Sequence, residues 1–292
     1  MRYLKNNFEY VVGRSNLAVT IFVPYDCPNK CPFCTSKDDY KDTSNFSLPN
    51  ILSSIKEVCS IKQIRDIVIT GGEPFADLII LQKILNVCKK YNKNIYINTT
   101  LPVKDSTDID YIYNFIKKNE NVISGLNISR HMCLKTNYEN DDLIQMLYNN
   151  TKVKLRINSV LLNVTAELTR VCDFINNYSK FVHSINFRGD YTKVKNQDDL
   201  RGLNEPILDI LFSLPELHYL GSGGCLVCNN NDFVTDKGVY ISYHRGYEHS
   251  LVKKGRYLIL NDIIIKQDGK ILSDWDGEEL DTAKLFCDFN RS

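Results

Sequence analysis

Up to about residue 213 the chain alternates short apolar runs with amphipathic segments. Residues 17–23, Leu-Ala-Val-Thr-Ile-Phe-Val, form a continuous apolar run that predicts a buried strand. Residues 50–59 carry Ile51, Ile55 and Val58 at helical spacing, with Pro49 near the first turn. Strand-like residues 66–70 end in Gly71-Gly72-Glu73-Pro74, and residues 79–90 resume the helical period. The alternation continues with strand–helix pairs at 94–98 and 109–118, 122–129 and 141–149, 153–160 and 166–178, then 184–188 and 206–212. Strands alternating with helices in this way predict an α/β fold with a parallel sheet and right-handed crossovers.

In curved parallel folds the functional groups gather on loops at the C-terminal ends of the strands. Those loops here hold a cysteine cluster, Gly71-Gly72-Glu73-Pro74, Asn98-Thr99-Thr100, Ser129-Arg130-His131 and Arg188-Gly189-Asp190. After residue 213 the texture becomes rich in short strand-like runs, and Asp268-Gly269 is a hairpin turn signal. We therefore expect two domains, a core at 1–213 and a small β-rich C-terminal extension at 214–292.

Composition narrows the function classes. The 292 residues are 43% hydrophobic and 24% charged, an ordinary globular balance. A formal charge of +1, from 36 basic and 35 acidic residues, gives no electrostatic case for nucleic acid or an anionic membrane as partner. The absence of an 18-residue apolar run argues against a transmembrane helix, and the polar first residues lack a signal peptide's apolar core. Ten cysteines without such a signal fit a reducing compartment, so a cytoplasmic location is expected.

The chemistry is concentrated at Cys27, Cys31 and Cys34, spaced C-x3-C-x2-C directly after the first buried strand. Structural zinc commonly uses four ligands in CxxC pairs, which this spacing matches poorly. Cysteine thiolates hold iron–sulfur clusters, and a [4Fe–4S] cube has four ligand positions. Three cysteines leave one iron open to a small molecule.

The cysteine triad, with Phe33 before its last member, resembles the signature of the radical S-adenosylmethionine (SAM) superfamily. Gly71-Gly72-Glu73-Pro74, ending the next strand, resembles that family's second motif. The resemblance covers roughly residues 17–190. It implies a partial (β/α)6 TIM-like barrel and a [4Fe–4S] cluster on Cys27, Cys31 and Cys34, with SAM chelated at the open iron. It further implies reductive cleavage of SAM to a 5′-deoxyadenosyl radical, hydrogen abstraction from a peptide or small-metabolite substrate, and an external electron donor such as flavodoxin or ferredoxin. SAM contacts are expected from Phe33, Gly71, Gly72, Glu73, Pro74, Asn98, Ser129, Arg130 and Asn158.

On the substrate side the candidates are Cys133, Arg188 and His244. A thiol such as Cys133 can donate a hydrogen atom. Loop structure is the simpler account of that residue, and a solvated turn the simpler account of the His244–His249 segment. Cys59, Cys88 and Cys172 fall on apolar helix faces and read as core thiols. Cys225 and Cys228 form a CxxC that would suit an auxiliary cluster, but only Cys287 follows them, so one cluster is expected. Two alternatives remain at this stage: an activase that installs a glycyl radical on a partner, and a non-catalytic iron–sulfur electron carrier. The long C-terminus is unexplained by the first, and the second gives no reason for Gly71-Gly72-Glu73.

Overall fold

The computed structural model describes residues 2–5, 8–12, 17–23, 27–34, 43–62, 64–162, 167–223, 229–246, 251–254, 257–260, 262–275 and 277–281. Cys225, Cys228, His249 and Cys287 lie outside them. In chain order, β1 (Arg2–Lys5), β2 (Phe8–Val12) and β3 (Leu17–Val23) precede α1 (Leu48–Cys59). Then follow β4 (Ile64–Gly71), α2 (Leu78–Cys88), β5 (Asn94–Thr99), α3 (Ser106–Lys118), β6 (Ile123–Ser129) and α4 (Asp141–Asn150). Next come β7 (Lys154–Leu161), α5 (Leu168–Tyr178), β8 (Ser184–Gly189) and α6 (Gln197–Ser213). The strands β9 (Leu217–Gly223), β10 (Asn230–Thr235), β11 (Tyr240–His244) and β12 (Leu251–Lys254) lead to β13 (Tyr257–Leu260), β14 (Asp262–Ile265) and β15 (Ile271–Leu272).

The chain forms two compact units: Met1–Cys27, Ser36–Asn98 and Glu248–Ser292 make one, Pro28–Thr35 and Thr99–Tyr247 the other. In the first, β14, β3, β4 and β5 lie parallel in that order, with β15 returning antiparallel to β14. Gly269 has φ +88°, and its N–H donates to the Lys266 carbonyl to close the β14–β15 turn at the Asp-Gly signal. Val19, Ile21, Ile67, Ile69, Ile95, Ile97, Ile263 and Ile265 are buried, as are Ile51, Ile55 and Val58 of α1. That spacing is the helical stripe read from the sequence. The Asp77 carboxylate accepts from Ile79 N–H and Ile80 N–H at 3.0 Å, which fixes where α2 begins. A separate sheet in this unit runs β1–β2–β13–β12, with β2 parallel to β13.

In the second unit β6, β7, β8 and β11 lie parallel in that order, followed by antiparallel β10 and β9. Side chains alternate faces along each strand. In β8, Ile185 and Phe187 are buried, while Ser184, Asn186 and Arg188 are half-buried. The apolar face meets helices: Phe187 packs 5.8 Å from Phe174 of α5, and Tyr243 of β11 donates to Asn204 of α6 at 2.7 Å. The opposite face is polar.

Two elements differ from their sequence pattern. The last helix is α6, 197–213, longer than the predicted 206–212, because Asn196 caps it by accepting from Asp198 N–H and Asp199 N–H at 2.9 Å. Pro206 sits inside it and leaves the carbonyl of Gly202 without its helical donor. Gly221-Ser222-Gly223, whose glycines do not favour a strand, is the end of β9, because its backbone pairs with β10. Among the described residues no helix is long and apolar enough to cross a membrane.

Candidate active site

In the first unit, the ends of β3 and β4 are drawn together by a glycine. Val23 is in register with Gly71, and the Gly72 N–H donates to the Val23 carbonyl at 3.2 Å. Gly71 has φ +144°, and a Cβ there would lie 1.7 Å from the Val23 oxygen. Only glycine permits this approach. Cys27 follows β3 and is half-buried. Glu73 is 1% exposed, and its carboxylate accepts from Phe75 N–H at 3.1 Å, capping the short turn at Pro74–Ala76. Pro74 is buried and Asn98, near the end of β5, is half-buried.

In the second unit, Cys31 and Cys34 occupy the two ends of one turn, closed by Cys34 N–H donating to the Cys31 carbonyl at 3.1 Å. Cys27, Cys31 and Cys34 are all half-buried thiols. Asn29 anchors the loop: its Oδ1 accepts from Asn137 N–H at 2.6 Å and its Nδ2 donates to Thr100 Oγ1 at 3.5 Å. Asn137 returns a bond from Nδ2 to the Pro28 carbonyl at 2.6 Å. Phe33 is buried with its ring edge-on to His131, centroids 4.7 Å apart.

Arg130 follows β6 and is 1% exposed. Its Nη1 donates to the carbonyls of Thr100 and Ser129 at 2.8 Å, and its Nε to Asp141 Oδ1 at 3.2 Å. Its Nη2 is buried and has no hydrogen-bond partner among the described residues. His131 Nδ1 accepts from Val160 N–H at 3.1 Å, which leaves the ring proton on Nε2. Burial, then the charges of Arg188 and Arg130, lower its pKa to about 4, so the ring is neutral near pH 7.

The strand registers align the polar face. Ser129, Asn158, Asn186 and Ser242 stand side by side across β6, β7, β8 and β11. The next row places Val160, Arg188 and His244 together. Asn158 Oδ1, Ser242 Oγ and His244 Nε2 are buried without a partner among the described residues. Burial and the Arg188 charge lower the His244 pKa to about 4. Cys133, half-buried, points Sγ to the Val160 carbonyl at 3.9 Å, and burial raises its pKa, so it is held as a thiol.

The second unit thus gathers Phe33, Ser129, Arg130, Cys133, Asn158, Arg188 and His244. Gly71, Gly72, Glu73 and Pro74 cluster at the end of β4 in the first. Sequence reading missed Asn29, Asn186, Ser242 and Asp141. Asn186 was legible from alternation along its strand, whereas Ser242 needed the knowledge that β11 lies beside β8.

Among the described residues no group of three or more His, Cys, Asp or Glu side chains is placed to hold a metal ion. A [4Fe–4S] cube binds each thiolate through a different iron, so its ligands need not meet at a point. Two thiols presented on one tethered turn fit such a cube. Buried polar atoms lacking partners on Arg130 and Asn158 fit a ligand that offers both an acceptor and a donor.

A family model described as the Radical SAM superfamily matches residues 21–132. The structure of SuiB from Streptococcus suis is similar at 16% identity and TM-score 0.54, over 92% of this chain and 64% of SuiB. SuiB bound to S-adenosylmethionine is similar at 18% identity and TM-score 0.51, over 90% of this chain and 61% of SuiB. SuiB bound to its precursor peptide SuiA matches at 15% identity and TM-score 0.51, over 92% of this chain and 63% of SuiB. At these identities the likeness is one of fold, a mixed α/β architecture with mostly parallel strands. The chain spans less than two thirds of the length of SuiB. No curated protein matches its sequence.

Proposed function

We propose that this chain, whose residues 21–132 match the radical SAM superfamily model, is an enzyme that starts radical chemistry on an organic substrate. The carrying observation is that the matched residues contain both the tethered cysteine turn and the glycine pair ending β4. Cys27, Cys31 and Cys34 would hold a [4Fe–4S] cluster, which with SAM would supply one-electron chemistry for taking a hydrogen atom from the substrate.

The chain's own residues position and shield. Gly71 and Gly72 keep side chains away from the end of β4 and leave backbone groups open to an ammonium, with Glu73 and Pro74 fixing the turn. Arg130, clamped by three bonds, has an Nη2 with no partner among the described residues, which suits it to a carboxylate. Asn158, with Ser129 beside it in register, offers hydrogen bonds to a ribose. Phe33 covers the cysteine turn and excludes water. Cys133, kept protonated, is a hydrogen-atom donor at Sγ. Arg188 and His244 face the substrate.

A peptide substrate is supported by the likeness to SuiB, seen with its precursor peptide; a small metabolite is the other class. The electron comes from an external donor of the flavodoxin or ferredoxin kind. The test is anaerobic incubation of the iron-loaded chain with dithionite and SAM. Formation of 5′-deoxyadenosine is expected, and its absence with an intact cluster would reduce the chain to an electron carrier.

A further inference from the structure

Arg188 lies one residue before the end of β8 with a half-buried side chain, and β11 sets His244 beside it in register, on the polar face that turns away from α5 and α6. Among the described residues no carboxylate forms an ion pair with Arg188. The acid next in the chain, Asp190, is engaged locally, accepting from Thr192 N–H at 3.1 Å. Arg130, the other cation bordering this face, already has Asp141 at 3.2 Å. A guanidinium taken partly out of water without a counter-charge is costly, and an anion removes that cost.

Its neighbours add hydrogen-bond capacity without opposing charge. His244 Nε2 is buried with no partner among the described residues, and the Tyr191 hydroxyl donates to the His244 carbonyl, fixing the residue. One row below, Ser242 Oγ also lacks a partner among the described residues. Low pKa values of about 4 for both His131 and His244 agree with an uncompensated Arg188 charge adding to burial.

We propose that Arg188, with His244 and Ser242 beside it, is the seat for a carboxylate of the substrate, so that this chain acts on an acid. This rests on the radical SAM reading and names the substrate's chemical class. The planar guanidinium fork matches a carboxylate with two parallel bonds. An amine-only substrate would meet a like charge there.

The seat is tested on the full chain, isotope-labelled in histidine, by titration with sodium succinate and, in parallel, with its neutral diamide succinamide. Succinate is expected to move the His244 resonances along a saturable curve while succinamide does not. Arg188→Gln should weaken succinate binding by about tenfold or more, and Arg188→Lys by less. Equal response to the diamide, no saturable response, or a curve unchanged by Arg188→Gln overturns the proposal.

SAM carries a carboxylate too, and a second measurement separates the sources. With saturating SAM present, added succinate should still move the His244 resonances along the same saturable curve. Loss of that curve through competition by SAM gives Arg188 to SAM and overturns the assignment to substrate. If the parent chain forms no 5′-deoxyadenosine, the radical reading fails, and the succinate titration still decides whether the seat takes a carboxylate.

Discussion

Gly71 concentrates a large constraint in one atom. A Cβ there would lie 1.7 Å from the Val23 oxygen at a backbone φ of +144°, so both sterics and conformation exclude a side chain. Gly71→Ala is expected to destabilise the iron-free chain by on the order of 3 kcal/mol, read by urea denaturation. An unchanged midpoint would show the approach of β3 and β4 to be dispensable. The cysteines make a different prediction. Cys31→Ala should lose the iron absorbance and 5′-deoxyadenosine formation together while keeping the fold, because Cys31 sits on a turn and not in the core. Two half-buried histidines set a pH dependence. His131 and His244 have folded pKa values of about 4, below the ordinary value of 6.5. The unfolded chain therefore binds more protons between those values, and the stability held above about pH 6.5 is lost as pH falls toward 4. Each ring contributes up to about 3 kcal/mol to that loss, and histidine NMR titration with denaturation at several pH values measures it.

At the scale of elements, a buried side-chain bond ties β11 to α6. The Tyr243 hydroxyl donates to Asn204 Oδ1 at 2.7 Å, and Asn204 Nδ2 donates to the Arg245 carbonyl at 2.8 Å, tying α6 to the end of the strand that carries His244. Tyr243→Phe strands a buried amide oxygen and should cost about 1–3 kcal/mol, with faster amide exchange in β11 as the local sign. This same strand marks the limit of sequence reading. Alternation along 184–188 or 240–244 reports which residues share a face, since that depends on one strand alone. It does not report which strand lies next door. The rows Ser129–Asn158–Asn186–Ser242 and Val160–Arg188–His244 are products of pairing between distant segments, so they became visible only in the structure. The cysteine spacing, Gly71 and the hairpin at Gly269 were legible because each encodes a local geometric demand. The true start of α6 was hidden because Pro206 outweighed the cap at Asn196 in the pattern.

For the whole molecule, the distribution of burial separates scaffold from chemistry. The sheet cores of both units are filled by isoleucine, leucine, valine and phenylalanine, while all three candidate cluster cysteines are half-buried outside the strands. Iron removal by a chelator should therefore abolish SAM cleavage and leave the far-ultraviolet circular dichroism spectrum essentially unchanged. A coincident loss of secondary structure would make the cluster a folding element. The single-cluster expectation is checked by iron analysis: Cys225→Ala should retain the parent content, and a loss of about four irons per chain would reveal a second cube.

The tether at Asn29 has a consequence for the lifetime of the protein. Its bonds to Asn137 and Thr100 hold the turn between Cys31 and Cys34 without help from iron. A loop that must order itself around each incoming metal pays that entropy at every assembly, whereas this one has its geometry set beforehand. Damage by oxygen would then strip the inorganic part and spare the mould. Such a chain is built to be recharged instead of replaced, and the speed of reloading after oxidation, slowed in Asn29→Ala, is where that durability would register.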